Sequence, residues 1–256
     1  MPERKQPTAL FVADSHFHLR PDSDELNRIG AFLEFLRMAH QVEHLFLLGD
    51  IFDFWFDYPH FRLKGYEDIL RGLDQVRQAG VQIHFVGGNH DIWAADYFHR
   101  RFGCARIPKS RILTLGELRI RVSHGDGLLG FNWAYNSFRS LVRNRAGIVL
   151  AKSLHPEILF AFSIWLSGKS RSARREEHSE IERKARIWLT DKAKGQWDLM
   201  VMGHLHHGFD VSVGAYRLAA VPGWLDPLGY GLLRDGEFQL RVFPDDPFAE
   251  PGTTSK

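Results

Sequence analysis

Five short polar motifs along the chain combine imidazole, carboxylate and amide side chains, and each directly follows an apolar run. Imidazole nitrogens together with carboxylate or amide oxygens are suited to Mn²⁺, Fe²⁺, Co²⁺ or Zn²⁺, whereas Ca²⁺ prefers oxygen ligands alone. Asp50 is the natural group to bridge two such ions, because a carboxylate has two oxygens. The motifs are Asp14-Ser15-His16, Gly49-Asp50-Ile51-Phe52-Asp53, Gly87-Gly88-Asn89-His90-Asp91, Ser123-His124-Gly125-Asp126 and Gly203-His204-Leu205-His206.

The apolar runs before the first three motifs predict buried strands, at Leu10 to Ala13, His44 to Leu48 and Val81 to Val86. Between them, Asp24 to His40 and Phe61 to Ala79 carry apolar residues at helical spacing. This alternation predicts an α/β fold with a parallel sheet. Ligands bind such sheets beyond the carboxyl ends of the strands, so we expect the motifs to converge on one site.

Residues 128–195 have a helix-like composition with almost no strand signal, and strand signals return afterwards. We therefore predict a core formed by residues 1–127 and 196–243, a basic helical insertion of residues 128–195, and a flexible tail of residues 244–256. The further predicted strands of the core are Arg111 to Leu115, Leu118 to Ser123, Leu199 to Met202, Phe209 to Val213, Arg217 to Val221, Gly229 to Leu233 and Phe238 to Phe243.

The composition is that of a globular protein of 256 residues, with 33 Lys and Arg against 31 Asp and Glu. Residues 128–195 have 13 basic and 6 acidic residues, a net charge of +7, and the remainder therefore has a net charge of −5. Cys104 is the single cysteine, which excludes an internal disulfide and a cysteine-based zinc site. The sequence has no signal-peptide pattern and no apolar run of membrane-spanning length, so we expect a cytoplasmic location.

The order of the five motifs resembles that of the calcineurin-like metallophosphoesterases. This resemblance implies an α/β fold in which a two-sheet β-sandwich is flanked by helices, and it implies in-line attack of water on phosphorus assisted by two divalent metals. Mn²⁺ is the expected ion, with Fe²⁺, Co²⁺ or Zn²⁺ as alternatives. By position, the first metal would be held by Asp14, His16, Asp50 and His206, and the second by Asp50, Asn89, His124 and His204.

The resemblance also assigns roles next to the ligands. Asn89 and His90 match the family's catalytic Asn-His pair, in which the imidazole stabilises the transition state or protonates the leaving group. We expect Asp53 and Asp91 to orient imidazoles such as that of His90 by accepting their free N–H. Two further histidines adjoin ligand candidates and are candidates for substrate contact, namely His18 and His207.

A closer resemblance is to the UDP-2,3-diacylglucosamine pyrophosphatases of lipid A biosynthesis. Three features are similar to that group: the aromatic extension from Leu48 to Trp55, the position of the insertion between His124 and His204, and the sequence from Asn136 to Arg139. The implied reaction is hydrolysis of the diphosphate of UDP-2,3-diacylglucosamine to UMP and 2,3-diacylglucosamine 1-phosphate. Many members of that group have Arg at the position of His90, so here the third motif follows the broader family.

The insertion has the chemistry that a lipid-linked nucleotide requires, namely cations for phosphates and an apolar surface for acyl chains. We also expect it to dock on the anionic cytoplasmic face of the inner membrane. The expected substrate contacts are Arg139, Arg143, Lys169, Arg171, Arg174, Trp133, Phe160 and Trp165.

Three other interpretations remain. The enzyme would act on another phosphoester, such as a nucleotide diphosphate, a cyclic nucleotide or a phosphoprotein, if the insertion left a short polar pocket. A binding module without catalysis is disfavoured because all seven ligand candidates are intact. Nucleic-acid binding is not expected, because the basic residues of the insertion are mixed with aliphatic ones and the acidic core would repel a long phosphate backbone. No oligomeric state follows from the sequence.

Overall fold

The computed structural model describes residues 7–56, 64–105, 107, 109–129, 177–192, 195–245 and 247–248. Most of the predicted insertion, residues 130–176, lies outside them. Within the described residues the helices are α1 (Ser23–Met38), α2 (Glu67–Gln78), α3 (Ala95–Phe102) and α4 (His178–Lys192). The strands are β1 (Ala9–Val12), β2 (His44–Leu47), β3 (Gln82–Phe85), β4 (Ser110–Leu115), β5 (Leu118–Ser123), β6 (Leu199–Met202), β7 (Phe209–Val213), β8 (Tyr216–Ala220), β9 (Gly229–Arg234) and β10 (Glu237–Val242).

The first sheet has the strand order β10-β9-β1-β2-β3. β1, β2 and β3 are parallel, with Phe11 opposite Phe46 and Phe46 opposite His84. The connections between these strands contain α1 and α2, as the alternating sequence pattern predicts. β9 and β10 form a hairpin that pairs antiparallel with β1. The carboxyl ends of three neighbouring strands therefore meet at one edge of this sheet.

The second sheet has the strand order β4-β5-β6-β8-β7. β5, β6 and β8 are parallel, whereas β4 and β7 pair antiparallel with their neighbours. β4 and β5 are the predicted hairpin. Because β5 and β6 run side by side in the same direction, the motifs that follow them leave the sheet at the same edge.

An apolar core fills the space between the two sheets. Phe11 and Phe46 from the first sheet and Val122 and Val201 from the second are fully buried in one cluster. The Phe11 and Phe46 rings stack with centroids 4.6 Å apart. Full burial of such a side chain stabilises the fold by roughly 1.5–3 kcal/mol. The predicted fold class, a two-sheet sandwich flanked by helices, is confirmed.

α1 packs against the face of the first sheet that points away from the second sheet. The helix begins after Asp22, whose side chain accepts a hydrogen bond from the backbone N–H of Glu25. Ile29, Phe32 and Leu36 follow at helical spacing and are buried in the cluster that includes the outer side chains of β1 and β2. This packing fixes α1 beside the loop that follows β1.

α4 falls within the predicted insertion but packs on the second sheet. Its residues Ile181, Ala185 and Leu189, spaced four apart, are buried together with Met200 of β6 and Val211 of β7. An amphipathic pattern does not indicate which surface its apolar side covers, so the sequence could not separate this helix from the insertion. Residues 178–192 therefore form part of the packing of the second sheet.

The start of the predicted tail also contacts the core. Tyr230 donates a hydrogen bond from its hydroxyl to the Asp245 carbonyl at 2.6 Å. Phe248 packs against the apolar cluster formed by α1 and the outer side chains of β1 and β2. Residues 246 and 249–256 lie outside the described part of the chain. Among the helices that the structure describes, none combines the length and apolarity needed to span a bilayer.

Candidate metal centre

The five polar motifs meet at one edge of the sandwich. Asp14, Asp50 and Asn89 follow β1, β2 and β3, at the carboxyl ends of three parallel strands. His124 and His204 follow β5 and β6, which are parallel in the second sheet. The backbone N–H of His204 donates to Oδ2 of Asp14 at 2.6 Å, so the loops of the two sheets are in direct contact.

One group of ligand atoms is formed by Asp14, His16 and His206, and these atoms lie within 4.8 Å of one another. The rings of His16 and His206 stack with centroids 5.1 Å apart. Oδ1 of Asp14 and Nε2 of His16 are buried, and neither has a hydrogen-bond partner among the described residues. Buried polar atoms are rarely left unpaired, so these two atoms fit a bound cation.

A second group is formed by Asp50, His124 and His204. Nε2 of His124 lies 3.3 Å from Oδ2 of Asp50 and 3.2 Å from Nδ1 of His204. The same nitrogen is 3.2 Å from Oδ1 of Asn89. Two imidazoles, a carboxylate and an amide oxygen thus converge on one point, which is a donor set suited to a divalent transition metal.

Asp50 lies between the two groups. Its Oδ2 is 3.9 Å from Nε2 of His16 in the first group and 3.3 Å from Nε2 of His124 in the second. The side chain is 2% exposed. The residues therefore fit two metal ions that share the Asp50 carboxylate.

His90 faces the same site. A ring nitrogen of His90 lies within 4.8 Å of a ring nitrogen of His16 and a carboxylate oxygen of Asp50. The His90 ring meets that of His16 nearly at right angles, at 88°, with centroids 4.8 Å apart. The backbone N–H of His90 donates to Oδ1 of Asp50 at 2.8 Å. His90 is therefore placed where an imidazole can meet a group bound between the two ligand sets.

Backbone and carboxylate oxygens orient the imidazoles. Nδ1 of His124 lies 2.8 Å from the Leu48 carbonyl and Nδ1 of His90 lies 3.0 Å from the Asp53 carbonyl. A carbonyl only accepts, so both Nδ1 atoms are the N–H donors. Nε2 of His124 therefore faces Asp50, and it would be the ligand atom once a metal displaces its proton. Oδ1 of Asp53 lies 3.6 Å from Nδ1 of His16 and 3.5 Å from Nδ1 of His90, so this carboxylate adjoins both rings.

Asp91 differs from the expectation that it orients an imidazole. Its Oδ1 accepts the backbone N–H groups of Asp50 at 3.1 Å and Gly88 at 2.9 Å, and its Oδ2 accepts those of Ile51 at 2.8 Å and Phe52 at 3.4 Å. This buried carboxylate therefore holds together the loops after β2 and β3. The physical reason is that the turns expose several unpaired amides, which only acceptors can satisfy.

The loops approach each other so closely that Gly88 must be glycine. A Cβ at this position would lie 2.1 Å from Oδ1 of Asp50 and 2.5 Å from its backbone nitrogen. Any larger residue would displace the loop that follows β2, and with it the shared ligand.

Burial and charge shift the pKa values of the ligands. Burial raises the pKa of Asp14 to about 7 and lowers that of His206 to about 4. Burial is the largest single effect on His124 and lowers its pKa, but the carboxylates of Asp50, Asp14 and Asp126 together raise it to about 10. In the metal-free protein, Asp50 and His124 therefore form a buried ion pair, and metal binding would displace the His124 proton.

The expected substrate contacts in the insertion, from Trp133 to Arg174, lie outside the described residues. The structure does describe His207, whose ring meets that of His178 at the start of α4, with centroids 4.1 Å apart. Sequence reasoning missed Glu25 and Arg28 of α1, which contact the loop after β1. In the sequence, Asp22 and Glu25 have the spacing of a helix start, and this spacing does not indicate a contact with the site.

The chain belongs to the calcineurin-like phosphoesterase family, whose model matches residues 7–219. It is a metal-dependent hydrolase, and its candidate ligands form a dimetal site. A UDP-2,3-diacylglucosamine hydrolase of Porphyromonas gingivalis is 27% identical, over 84% of this chain and 89% of that protein. Another from Proteus mirabilis is 28% identical, over 92% of this chain and 98% of that protein. An archaeal phosphodiesterase structure aligns over 92% of this chain and 99% of its own, with 13% identity and a TM-score of 0.47.

Proposed function

We propose that this enzyme hydrolyses the diphosphate of UDP-2,3-diacylglucosamine, giving UMP and 2,3-diacylglucosamine 1-phosphate. The observation that carries the proposal is the similarity, over most of the chain, to proteins named UDP-2,3-diacylglucosamine hydrolase. The convergence of the five motifs at one edge of the sandwich supports the chemistry.

The residues of the site have two roles: seven would bind the metal ions, and His90 would act on the phosphoryl group or the leaving group. Two divalent ions, which we propose to be Mn²⁺, would be held by the seven candidate ligands Asp14, His16, Asp50, Asn89, His124, His204 and His206. Bound ions would activate water and neutralise charge on the phosphoryl oxygens. The ring of His90, fixed through Nδ1 by the Asp53 carbonyl, would stabilise the transition state or protonate the leaving group.

The insertion would bind the rest of the substrate. We propose that its basic residues meet the nucleotide and phosphates, and that its apolar residues line a cleft for the acyl chains. The net charge of residues 128–195, +7 in all and +6 without α4, also favours a peripheral position on the anionic cytoplasmic face of the inner membrane.

The proposal is tested by incubating the purified protein with Mn²⁺ and UDP-2,3-diacylglucosamine and measuring UMP release. We expect Asp50→Ala to abolish turnover, because both ligand groups lose the carboxylate between them. The matched control is Asp68→Ala, an exposed aspartate on α2, which should retain wild-type turnover. Turnover by the metal-free Asp50→Ala protein would contradict the mechanism.

His90 favours a second candidate function, hydrolysis of another phosphoester such as a nucleotide diphosphate, a cyclic nucleotide or a phosphoprotein. It stands where many of the lipid-nucleotide enzymes that the sequence resembles have Arg. Good turnover of a water-soluble diester combined with failure on the lipid substrate would select this candidate. A clear preference for the lipid substrate over the water-soluble diester would reject this second candidate function.

A further inference from the structure

His18 is held by a buried carboxylate at the edge of the metal centre. Its Nδ1 lies 2.6 Å from Oε2 of Glu25, and its backbone N–H donates to Oε1 of the same carboxylate at 2.7 Å. A carboxylate accepts only, so Nδ1 is the N–H donor in this contact. The two bonds fix both the backbone and the ring of His18.

Glu25 is itself fixed by α1 and by Arg28. Its side chain is 5% exposed, and Nη2 of Arg28 lies 3.2 Å from its Oε1. Nη1 of Arg28 donates to the carbonyls of Ser15 and Trp224. A buried carboxylate is costly unless it is paired, and here the paired carboxylate is connected to the loop that carries Asp14 and His16.

The outer edge of the His18 ring faces the site. Its Nε2 lies 3.9 Å from Oδ2 of Asp53, which is beyond hydrogen-bond distance, and Asp53 in turn contacts His16 and His90. The His18 side chain is 41% exposed, whereas those of Asp53 and His90 are 14% and 12% exposed. One edge of the imidazole is thus bonded to Glu25, and the other edge lies beside Asp53 at the metal centre in a side chain that is partly exposed.

We propose that His18 is a substrate-contacting residue that accepts a hydrogen bond from a hydroxyl or N–H group beyond the scissile phosphate, and that Glu25 is its positioning residue. With Nδ1–H donated to Glu25, the other ring nitrogen, Nε2, is the one that can accept a hydrogen bond. The fitting ligand class is a phosphoester whose alcohol or nucleoside part carries hydroxyl groups. The inference deepens the proposed function, on which it rests, because the lipid nucleotide has such groups on both sides of the diphosphate.

Two amide variants separate this role from a purely structural one. In His18→Asn the amide lies about as far from Cα as Nδ1, so it can keep the bond to Glu25 but offers nothing at the position of Nε2. In His18→Gln the amide reaches about as far as Nε2. Both are compared with wild type, and with the exposed-residue control His40→Asn, on UDP-2,3-diacylglucosamine and on bis(p-nitrophenyl) phosphate, a diester without hydroxyl groups.

We expect His18→Asn to lower the ratio of kcat/KM for the lipid nucleotide to that for the aryl diester by about fivefold, through KM, as one lost hydrogen bond predicts. His18→Gln should recover part of this ratio, and His40→Asn should not change it. Glu25→Gln should lower the ratio as well, and the double variant with His18→Asn should fall no further than the single variants. Melting temperature and the number of bound metal ions are measured for each protein.

An unchanged ratio in His18→Asn would overturn the inference, and so would equal losses on both substrates accompanied by loss of metal. Failure of the wild type on the lipid nucleotide would instead reject the proposed function. In that case the comparison of Asn with Gln is made on a glycerol phosphodiester, whose alcohol carries hydroxyl groups. Equal ratios for the two variants and wild type there would reject the role of His18 as well.

Discussion

Asp14, His16, Asp50, His204 and His206 each have a positive φ, between 46° and 74°. This left-handed conformation costs a non-glycine residue roughly 1–2 kcal/mol. Asp235, in the β9–β10 turn, is the one other such residue outside glycine that the described ranges contain. Most of the backbone cost thus falls on the candidate ligands, where the sharp turns direct short side chains toward the two ligand groups.

Asp91 gives a prediction about how these turns are maintained. In Asp91→Asn, one of the two acceptor oxygens becomes an NH₂ group that faces backbone N–H donors. We expect a loss of about 2 kcal/mol in the free energy of unfolding, because buried donors lose their acceptor. The loop carrying Asp50 would also relax, so fewer than two metal ions should remain bound. Urea unfolding and elemental analysis measure the two effects.

The matched control for Asp91 is Asp226→Asn, since Asp226 is exposed and lies in a loop outside the ligand motifs. This variant should unfold at the wild-type urea concentration and bind the same amount of metal. If Asp91→Asn behaved in the same way, its four backbone contacts would have no role in holding the site.

The elements that carry the ligands were predictable because apolar runs and motifs coincide. β1, β2 and β3 appear within two residues of the predicted bounds, since a buried parallel strand reads as a continuous apolar run. The packing of α4 was not predictable, because its pattern does not identify the surface it covers. Asp91 was assigned to imidazoles for a related reason: the sequence does not show which backbone amides a turn leaves unpaired.

Neighbouring strands β2 and β3 bring two histidines, His44 and His84, together on one face of the first sheet. His84 is 4% exposed, stacks on Phe46 at 4.2 Å, and has Nε2 3.1 Å from Nδ1 of His44. Burial lowers the pKa of His84 to about 4, with smaller effects of His44 and Arg111. The folded state thus favours the neutral ring, so its stability is complete above pH 6.5 and declines as the pH falls toward 4.

This pKa predicts acid sensitivity that a single substitution should remove. Relative to pH 8, the wild type should lose about 2 kcal/mol of unfolding free energy at pH 5 because of His84. His84→Phe should not show this loss, so its unfolding free energy relative to that of the wild type should rise by about 2 kcal/mol between pH 8 and pH 5. For the exposed control His40→Phe, the difference in unfolding free energy from the wild type should be the same at both pH values. Urea unfolding at both pH values makes the comparison. A parallel pH dependence of wild type and His84→Phe would contradict the assignment.

The charges of the whole molecule are divided between its parts. α4 has 4 basic and 3 acidic residues, so counting it with the predicted core changes the net charges from +7 and −5 to +6 for the predicted insertion and −4 for the predicted core. The nearly neutral sum of +2 is therefore a cancellation. Two divalent ions would neutralise the net charge of the core, which relates the charge of this part to its metal site.

Metal binding should therefore stabilise the fold as a whole. An ion that binds only the folded state adds about 2.7 kcal/mol at a concentration 100-fold above its Kd, and two such ions add about 5 kcal/mol. For a chain of this size, this corresponds to roughly 10 °C or more in Tm. We expect chelation to lower the Tm by that amount and Mn²⁺ to restore it, as measured by calorimetry. Asp50→Ala, which lacks the carboxylate between the two ligand groups, should respond much less. If the wild-type Tm changed with neither chelator nor Mn²⁺, the left-handed turns would be stabilised by the protein alone.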